Sequence, residues 1–529
     1  MEIGSIISSL PHFSQDAGWQ ILSTLAIIQA SIFAIVFSVV ILGVRLSANR
    51  YSPRLADIFK SDNFYRLTVG VFAVSIGFDI GGLYLMEFTE RDGRLAILVV
   101  AGMLVNVAFG TLYLFVSKVL ERTTPEGIVK ALDEMLTPQW IRDRAEASND
   151  EPTERDPFVT INSVITSTIS ESDRESTSLC LRTLGESVAT LLRETPRQEF
   201  EEDTPLDNSI EDLCVERLPN ITYEASDNDL TTIATDDIPD TVQKIGYTAV
   251  EEELERVIEH LARGQGTLIT GLEFNIEDER IRRNVIRDTR QIVRDAAETQ
   301  MWNAVTAGNI HLGWRSEGSV IDRREDDLSR TIREYGSLLL LHYPRVIDIA
   351  VDSEEEMRDY SPHEWGLLFN SNIDYLESQP VERAIASCYD AMAGLTSALI
   401  RFEIREGVPI ANWNDVAAGW RDGFENLPKE LHSLRQLWYG TILYLQYIEH
   451  ETESEVMTDF SPIILRHIST DFKENTVNEI LEGEVDPTGK IDRIPGEGNP
   501  REGGLTYKRP PIPNSETEFK EWLRKRPVY

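Results

Sequence analysis

Three long apolar runs near the N-terminus dominate the hydrophobic pattern of this chain. They cover residues 21–44, 67–86 and 95–116. A helix needs about 20 residues to cross a hydrocarbon core of about 30 Å, and each run has roughly that length. An unpaired backbone group is costly in lipid, so each run can cross the bilayer only as a helix. The pattern therefore predicts an integral membrane protein with three transmembrane helices.

Beyond residue 118 the pattern changes to helical periodicity in a polar background. In residues 278–305 and again in residues 381–401, apolar residues recur on one helical face. Few segments alternate with period two, which is the pattern typical of strands. The prediction is an all-α fold, in which a three-helix transmembrane bundle precedes a large, mainly helical cytoplasmic domain.

The same pattern divides the chain into six parts. They are a short extracytoplasmic N-terminus at 1–18, a transmembrane domain at 19–118, a juxtamembrane helix at 119–145, a polar, acidic, helical and loop-rich region at 146–240, an all-α cytoplasmic domain at 241–482 and a flexible tail at 483–529. Prolines favour loops in the fourth part.

The tail ends in a short amphipathic segment, residues 516–525, that predicts a helix. Phe519, Trp522 and Leu523 share one face, and basic residues lie beside them. Two placements are open for this segment. It sits on an anionic membrane surface, or it docks on the acidic domain of the same chain.

Basic residues indicate the orientation in the membrane. Most lysines and arginines near the apolar runs lie between the first two runs or after the third, whereas residues 1–20 contain none. By the positive-inside rule, the N-terminus is outside and residues from about 117 onward are cytoplasmic. We therefore predict a multi-pass protein of the cell membrane.

The net charge of −38 is carried by the polar part. Acidic and basic side chains balance in residues 1–118, so the whole excess lies beyond them. A diffuse, lysine-poor acidic surface is typical of a salt-rich, halophilic cytoplasm, and an acidic partner-binding face is the alternative. Nucleic acid is disfavoured as a partner because phosphate contacts need a basic patch.

No catalytic, cofactor or metal motif is complete in this chain. The cysteines Cys180, Cys214 and Cys388 are far apart and form no CxxC pair, which indicates small core residues in a reducing compartment. We therefore predict no catalytic residue, no metal site and no cofactor. An enzyme tethered to the membrane remains a lesser alternative.

Polar residues inside the apolar runs are the strongest candidates for a site. Asp79 and Gln29 lie at similar depth, and Asn106 lies somewhat deeper. A charged group in the membrane costs at least about 2.5 kcal/mol unless it is paired, protonated or wetted. These residues form an ion or proton site, or a neutral Asp79 bonds to Gln29 and holds the bundle together. Gly77 and Gly81 form a small-xxx-small pair that lets another helix approach, within the chain or in a homo-oligomer.

The end of the first run and the loop after it carry a family resemblance. Its residues are Phe-Ser at 37–38, Leu-Ser-Ala at 46–48 and Tyr-Ser-Pro-Arg-Leu at 51–55. This pattern resembles the predicted membrane proteins called domain of unknown function 2254, over roughly residues 25–135. That family has no established activity, so the resemblance implies membrane topology alone.

The same loop predicts a short helix at the inner membrane surface. Ser52-Pro53 is a good N-cap and first-turn pair. The segment either couples the cytoplasmic domain to the bundle or anchors the chain to anionic headgroups. The basic residues that would meet those headgroups are Arg45, Arg50, Arg54 and Lys60.

Two functional hypotheses follow from this organisation. The first is a sensor, scaffold or regulator in the membrane, whose partners are the lipid bilayer, further copies of itself and a protein or small molecule of unknown identity. The alternative is an oligomeric channel or transporter subunit with Asp79 in the pathway.

Overall fold

The computed structural model consists of helices, with no strand among the residues that it describes. Those residues are 15–50, 63–123, 125–148, 157–272, 276–321, 332–353, 357–362, 364–365, 380–406, 413–452, 468–488 and 516–525. The all-α prediction is confirmed. The chain forms two compact units: unit 1 is Met1–Leu136 with Val159–Cys180, and unit 2 is Thr137–Phe158 with Leu181–Tyr529.

Three long helices form the bundle of unit 1. They are α1 (Gln15–Arg50), α2 (Asn63–Leu85) and α3 (Arg91–Thr123). Each contains a stretch long and apolar enough to cross a membrane, which confirms the three predicted helices. The helices extend beyond the apolar runs because backbone hydrogen bonding continues into the polar flanks.

The buried positions of α2 and α3 are spaced alternately by four and three residues. A mean spacing of 3.5 residues is the pattern of helices that wind around each other in a left-handed coiled coil. We call these positions the seam. On α2 they are Thr68, Phe72, Ser75, Asp79, Gly82 and then Met86 just past the helix end, and on α3 they are Ala101, Val105, Ala108, Leu112, Phe115 and Val119.

Two apolar clusters fill the seam. One contains Leu22, Met86 and Ala101. The other is built around Phe72 and continues along α3 from Ala108 to Val119. The opposite faces of the three helices expose large apolar side chains, which suits a surface in contact with hydrocarbon. The bundle is therefore packed inside and apolar outside.

Shorter helices complete unit 1. They are α4 (Pro125–Met135), α6 (Val159–Ser170) and the first turns of α7 (Arg174–Glu194). On α4 the buried residues Ile128, Val129 and Leu132 lie on one face, as the helical period requires.

Unit 2 is a large assembly of helices. Besides the remainder of α7, its α-helices are α5 (Pro138–Ser148), α8 (Pro205–Glu211), α9 (Leu218–Asp227), α10 (Ile238–Glu251), α11 (Glu255–Gly271), α12 (Ile276–Glu298), α13 (Trp302–Ile321), α14 (Ile332–Ser337), α15 (Tyr343–Ser353), α16 (Pro380–Glu406), α17 (Trp413–Asn426), α18 (His432–Thr452), α19 (Thr470–Glu482) and α20 (Glu516–Lys525). Between them lie a 3₁₀-helix, Arg197–Phe200, and the π-helices Asp212–Arg217, Ile233–Asp237 and Leu338–His342.

The proline-rich stretch before residue 240 is largely helical, where the sequence favoured loops. Pro205 is the first residue of α8, where the amide that proline lacks has no intrahelical partner, so this proline starts the helix. Pro219 and Pro239 differ, because each is the second residue of its α-helix and follows a π-helical turn, Asp212–Arg217 or Ile233–Asp237. The chain is already helical there, and the π-helical turn replaces the regular hydrogen bonding that a proline would break. Thr204 caps α8 by accepting a hydrogen bond from the amide of Asp207.

The centre of unit 2 is the packing of α13 along α16. At Gly313 an added Cβ would lie 2.5 Å from the Cβ of Ala391, so the two backbones approach as closely as glycine allows. Nearby, Trp420 and Trp438 pack edge to face with ring centroids 5.2 Å apart. The helix α18 is buried almost throughout residues 436–448.

The last helix, α20, docks on α18. The ring of Phe519 is fully buried and lies 5.0 Å from the ring of Tyr444 and 5.5 Å from that of Tyr447. Trp522 packs on Tyr447 at 5.7 Å. Of the two placements that the sequence left open, the structure shows docking on the protein itself. Residues 489–515, the rest of the predicted tail, lie outside the described residues.

Candidate functional site

A polar layer interrupts the apolar seam of the bundle. The amide nitrogen of Gln29 on α1 donates a hydrogen bond of 2.5 Å to Asp79 Oδ2 on α2. Both side chains are fully buried, and so is Ser75, one turn before Asp79 on the same helix. The two apolar clusters lie on either side of this layer. The layer therefore brings three polar side chains together inside the bundle.

Each member of the polar layer has a buried oxygen without a hydrogen-bond partner. These atoms are Gln29 Oε1, Ser75 Oγ and Asp79 Oδ1. Buried polar atoms in folded proteins are nearly always paired, and an unpaired atom loses its hydration without compensation. The layer can thus accept further hydrogen bonds or a cation.

The structure does not bring Asn106 into this layer. Its amide nitrogen donates to the backbone oxygen of Gly102 on the same helix at 2.7 Å, and the side chain is exposed on the outside of the bundle. The reason is phase: Asn106 follows the seam residue Val105 by one position, about 100° around a helix of 3.6 residues per turn. The predicted cluster of three is corrected to Gln29, Ser75 and Asp79.

The glycine pair on α2 faces outward. A Cβ added at Gly77 or Gly81 would meet nothing within 4 Å. The pair is not used for packing within this bundle, which leaves it open to a helix of another chain. Gly102 and Gly110, on either side of Asn106, are equally open.

The basic segment lies mostly outside the described residues. Arg45 is exposed near the end of α1, and Arg50 is the last residue of that helix. Ser52, Pro53, Arg54 and Lys60 belong to the undescribed range 51–62. The hypothesis of a coupling or anchoring segment stays a prediction.

Unit 2 contains a polar cleft between α10 and α12, of about 480 Å³. Arg280, Arg283 and Arg287 reach it from α12, since spacings of three and four place them on one face. Asp240 and Gln243 reach it from α10. A cleft of this size can hold a small molecule.

Two of the three arginines are engaged by carboxylates of the cleft. Arg280 lies 3.5 Å from Asp236, and Arg287 lies 3.0 Å from Asp288. Arg283 differs, because its Nε is buried without a hydrogen-bond partner. On α10, burial and the neighbouring carboxylates of Asp237, Asp236 and Asp288 raise the pKa of Asp240. Arg283 and Asp240 therefore take no part in the two ion pairs of the cleft.

The neighbouring arginine, Arg282, has a structural role. It is fully buried and donates hydrogen bonds of 2.9 Å to the backbone oxygens of Ile269 and Leu272. These acceptors belong to the C-terminal turn of α11, where carbonyls lack intrahelical partners.

The three cysteines are buried and unpaired with one another. Burial raises the pKa of Cys180 to about 12 and moves those of Cys214 and Cys388 above the usual range. Thiols in such surroundings are unreactive, since the thiolate is the nucleophile. Among the described residues, no group of three or more His, Cys, Asp or Glu side chains could hold a metal ion.

Comparison with known proteins gives one match, in the N-terminal part. Residues 2–169 match the family model of predicted membrane protein DUF2254. The resemblance is confirmed, and the DUF2254 match includes the whole bundle with its polar layer. The cleft lies outside the DUF2254 match. Neither a curated protein nor a solved structure matches the chain. With its three spanning helices, this is a membrane protein.

Sequence reasoning missed Ser75 and the cleft. Ser75 precedes Asp79 by four residues, a spacing that places both on one helical face, so the helical period could have found it. Arg283 and Asp240 gave no such signal, because only the packing of α10 beside α12 separates them from many other surface charges.

Proposed function

We propose that this protein is a membrane-anchored regulator whose helical domain lies in the cytoplasm and binds a small ligand. The observation that carries the proposal is the cleft of unit 2. Two ion pairs, Arg280–Asp236 and Arg287–Asp288, occupy part of its lining, and Arg283 on α12 and Asp240 on α10 belong to neither of them. Charged groups without an ion-pair partner are expected in a binding site whose ligand is absent, because the ligand supplies the opposite charges.

The chemistry of the cleft favours a zwitterionic ligand. The guanidinium of Arg283 offers N–H donors to a carboxylate. Asp240 sits among carboxylates, and a cationic group of the ligand would stabilise its ionised form. Gln243 and Asn284 add neutral polar groups to the lining. Free amino acids and betaines have this combination of charges.

The bundle is suited to anchoring. Its seam is filled by two apolar clusters, and the polar layer lies enclosed between them. The described part of the bundle therefore has a filled interior, which favours an anchor over a pore.

Thermal unfolding of the full-length protein in detergent tests the ligand. We expect a member of a panel of free amino acids and glycine betaine to raise the melting temperature, because a ligand that binds only the folded state stabilises it. Arg283→Gln should abolish the shift, and Arg345→Gln, at an exposed position of α15, should keep it. If no zwitterion of the panel shifts the wild type, the cleft is not the site of such a ligand.

The orientation is tested by labelling introduced cysteines with a membrane-impermeant maleimide. The native thiols are buried and will not react. Glu87→Cys, between α2 and α3, should react in intact cells, whereas Glu298→Cys, at the end of α12, should react only after permeabilisation. The reverse pattern would place the helical domain outside.

The second candidate is an oligomeric channel or transporter subunit with Asp79 in the pathway. The polar layer favours it, since ionisable residues inside a membrane often mark ion pathways. Loss of ion flux in liposomes on Asp79→Asn, with folding retained, would support this candidate. Absence of ion flux in the wild type would argue against the channel or transporter and favour the regulator.

A further inference from the structure

The polar layer of the bundle carries one further inference, which does not depend on the proposed function. Its three unpaired atoms, Gln29 Oε1, Ser75 Oγ and Asp79 Oδ1, are all oxygens. Oxygen donors are the ligands that hard metal cations prefer, and a carboxylate oxygen also binds a proton. All three side chains are fully buried, so water at the bundle surface does not reach these atoms.

Among the described residues, none that surrounds Asp79 supplies a positive charge. Gln29 faces it from α1, Ser75 from its own helix, and the seam residues of α3 at this level are apolar. The other charged side chains of α1–α3 lie towards the helix ends. An ionised carboxylate at this position would be unpaired in a low-dielectric medium, which is strongly disfavoured.

One positive charge neutralises the layer, and this selects the ligand. A divalent ion would leave a net positive charge in the membrane. An anion would add a second negative charge to that of the Asp79 carboxylate. We propose that Gln29, Ser75 and Asp79 form a site for one monovalent cation, either a proton on Asp79 or Na⁺ held by the three oxygens. The three buried oxygens without hydrogen-bond partners are then the ligands of the bound cation.

Labelling of the full-length protein with dicyclohexylcarbodiimide tests the site, because this reagent attacks protonated carboxyl groups in apolar surroundings. Mass spectrometry should locate the label on Asp79. Above the midpoint of the titration, labelling should fall roughly ten-fold per pH unit. Asp79→Asn should remove the label. Glu87→Gln, a matched change in the exposed turn after α2, should leave it in place.

Replacement of choline by Na⁺ at constant ionic strength distinguishes the two cations. If Na⁺ is bound, it protects Asp79 from the label at fixed pH, and Ser75→Ala raises the Na⁺ concentration required by roughly ten-fold through loss of one ligand oxygen. If only a proton is bound, Na⁺ has no effect while the pH dependence remains.

A second measurement covers the case in which the reagent does not reach the site. The difference in melting temperature between the wild type and Asp79→Asn should change with pH or with Na⁺, because a cation that binds only the folded state stabilises it. A difference that is constant in both, together with labelling that is absent or constant, would overturn the proposal.

Discussion

At the scale of single residues, the core of the helical domain holds a buried histidine in its neutral form. His342 Nε2 donates to Asn309 Oδ1 at 3.1 Å, and the amide nitrogen of Asn309 in turn donates to Ser387 Oγ at 3.1 Å. Burial, with a smaller effect of Arg290 and Arg294, lowers the pKa of His342 to about 3. A network of neutral groups thus joins three parts of the chain.

The low pKa of His342 leads us to expect that the folded protein loses stability in acid. Between its ordinary pKa of 6.5 and about 3, the unfolded chain binds a proton that the folded state refuses. The free energy of unfolding should therefore fall as the pH drops through this window, by up to about 1.4 kcal/mol per pH unit from this group. We expect His342→Gln to reduce the slope of stability against pH, measured by urea unfolding.

The control is His450→Gln, because His450 is exposed and should leave the slope unchanged. An equal slope in the wild type and in His342→Gln would show that His342 does not set the acid sensitivity.

Of the residues that the sequence predicts for the membrane site, Gln29 and Asp79 are hydrogen-bonded, in keeping with their similar depth. Asn106 lies outside the layer, because depth in the membrane does not fix the helical phase of a residue. The phase depends on which helices pack together, and the apolar runs do not encode that.

At the scale of elements, apolar patterning predicted which segments are helical and missed how some of them begin. The three membrane helices follow from length and hydropathy alone. The prolines of residues 205–239 favoured loops, because a proline in a helix interior is disruptive. Pro205 begins a helix, whereas Pro219 and Pro239 each follow a π-helical turn, and a hydrophobic pattern does not show such turns.

The docked C-terminal helix makes the clearest prediction at this scale. Phe519→Ala removes a fully buried ring from the contact with Tyr444 and Tyr447. Such truncations cost about 3–5 kcal/mol in a protein core. We expect the amides of α20 to exchange hydrogen much faster, as measured by mass spectrometry.

Glu521→Ala is the matched control, since this side chain is exposed on the same helix. Unchanged exchange in Phe519→Ala would mean that the aromatic contacts do not hold α20 in place.

At the scale of the whole molecule, charge is the dominant property. The formal net charge of −38 is carried by residues beyond the bundle, where the excess Asp and Glu side chains repel one another. The screening length falls from about 10 Å at 0.1 M salt to about 3 Å at 1 M. If the protein works in a salt-rich cytoplasm, its melting temperature should rise steeply with KCl and then level off.

Sucrose at equal osmolality should raise the melting temperature less, because it does not screen charge. A melting temperature that falls with KCl would contradict adaptation to salt.

Self-association is the second property at this scale. Gly102, Asn106 and Gly110 lie on one outward face of α3, where small residues permit close approach and an amide can bond across helices, typically for about 0.6 kcal/mol. We expect the detergent-solubilised protein to be a homo-oligomer by light scattering. Asn106→Leu should lower its mass at a given concentration.

Val107→Leu, an apolar change at the next exposed position, should have little effect on the mass. A wild type that is monomeric at all concentrations would contradict the prediction of a homo-oligomer. Asn106 would then face lipid.

The docking of α20 on α18 has a kinetic and thermodynamic consequence for any competitor. Because the helix is covalently joined to the surface that it covers, its effective concentration can reach the millimolar range. Dilution does not release it, and a separate molecule must bind the Tyr444 and Tyr447 face far more tightly to displace it. A single proteolytic cut within residues 489–515 would make the contact between α20 and α18 bimolecular. The cleaved helix would then dissociate when the protein is diluted.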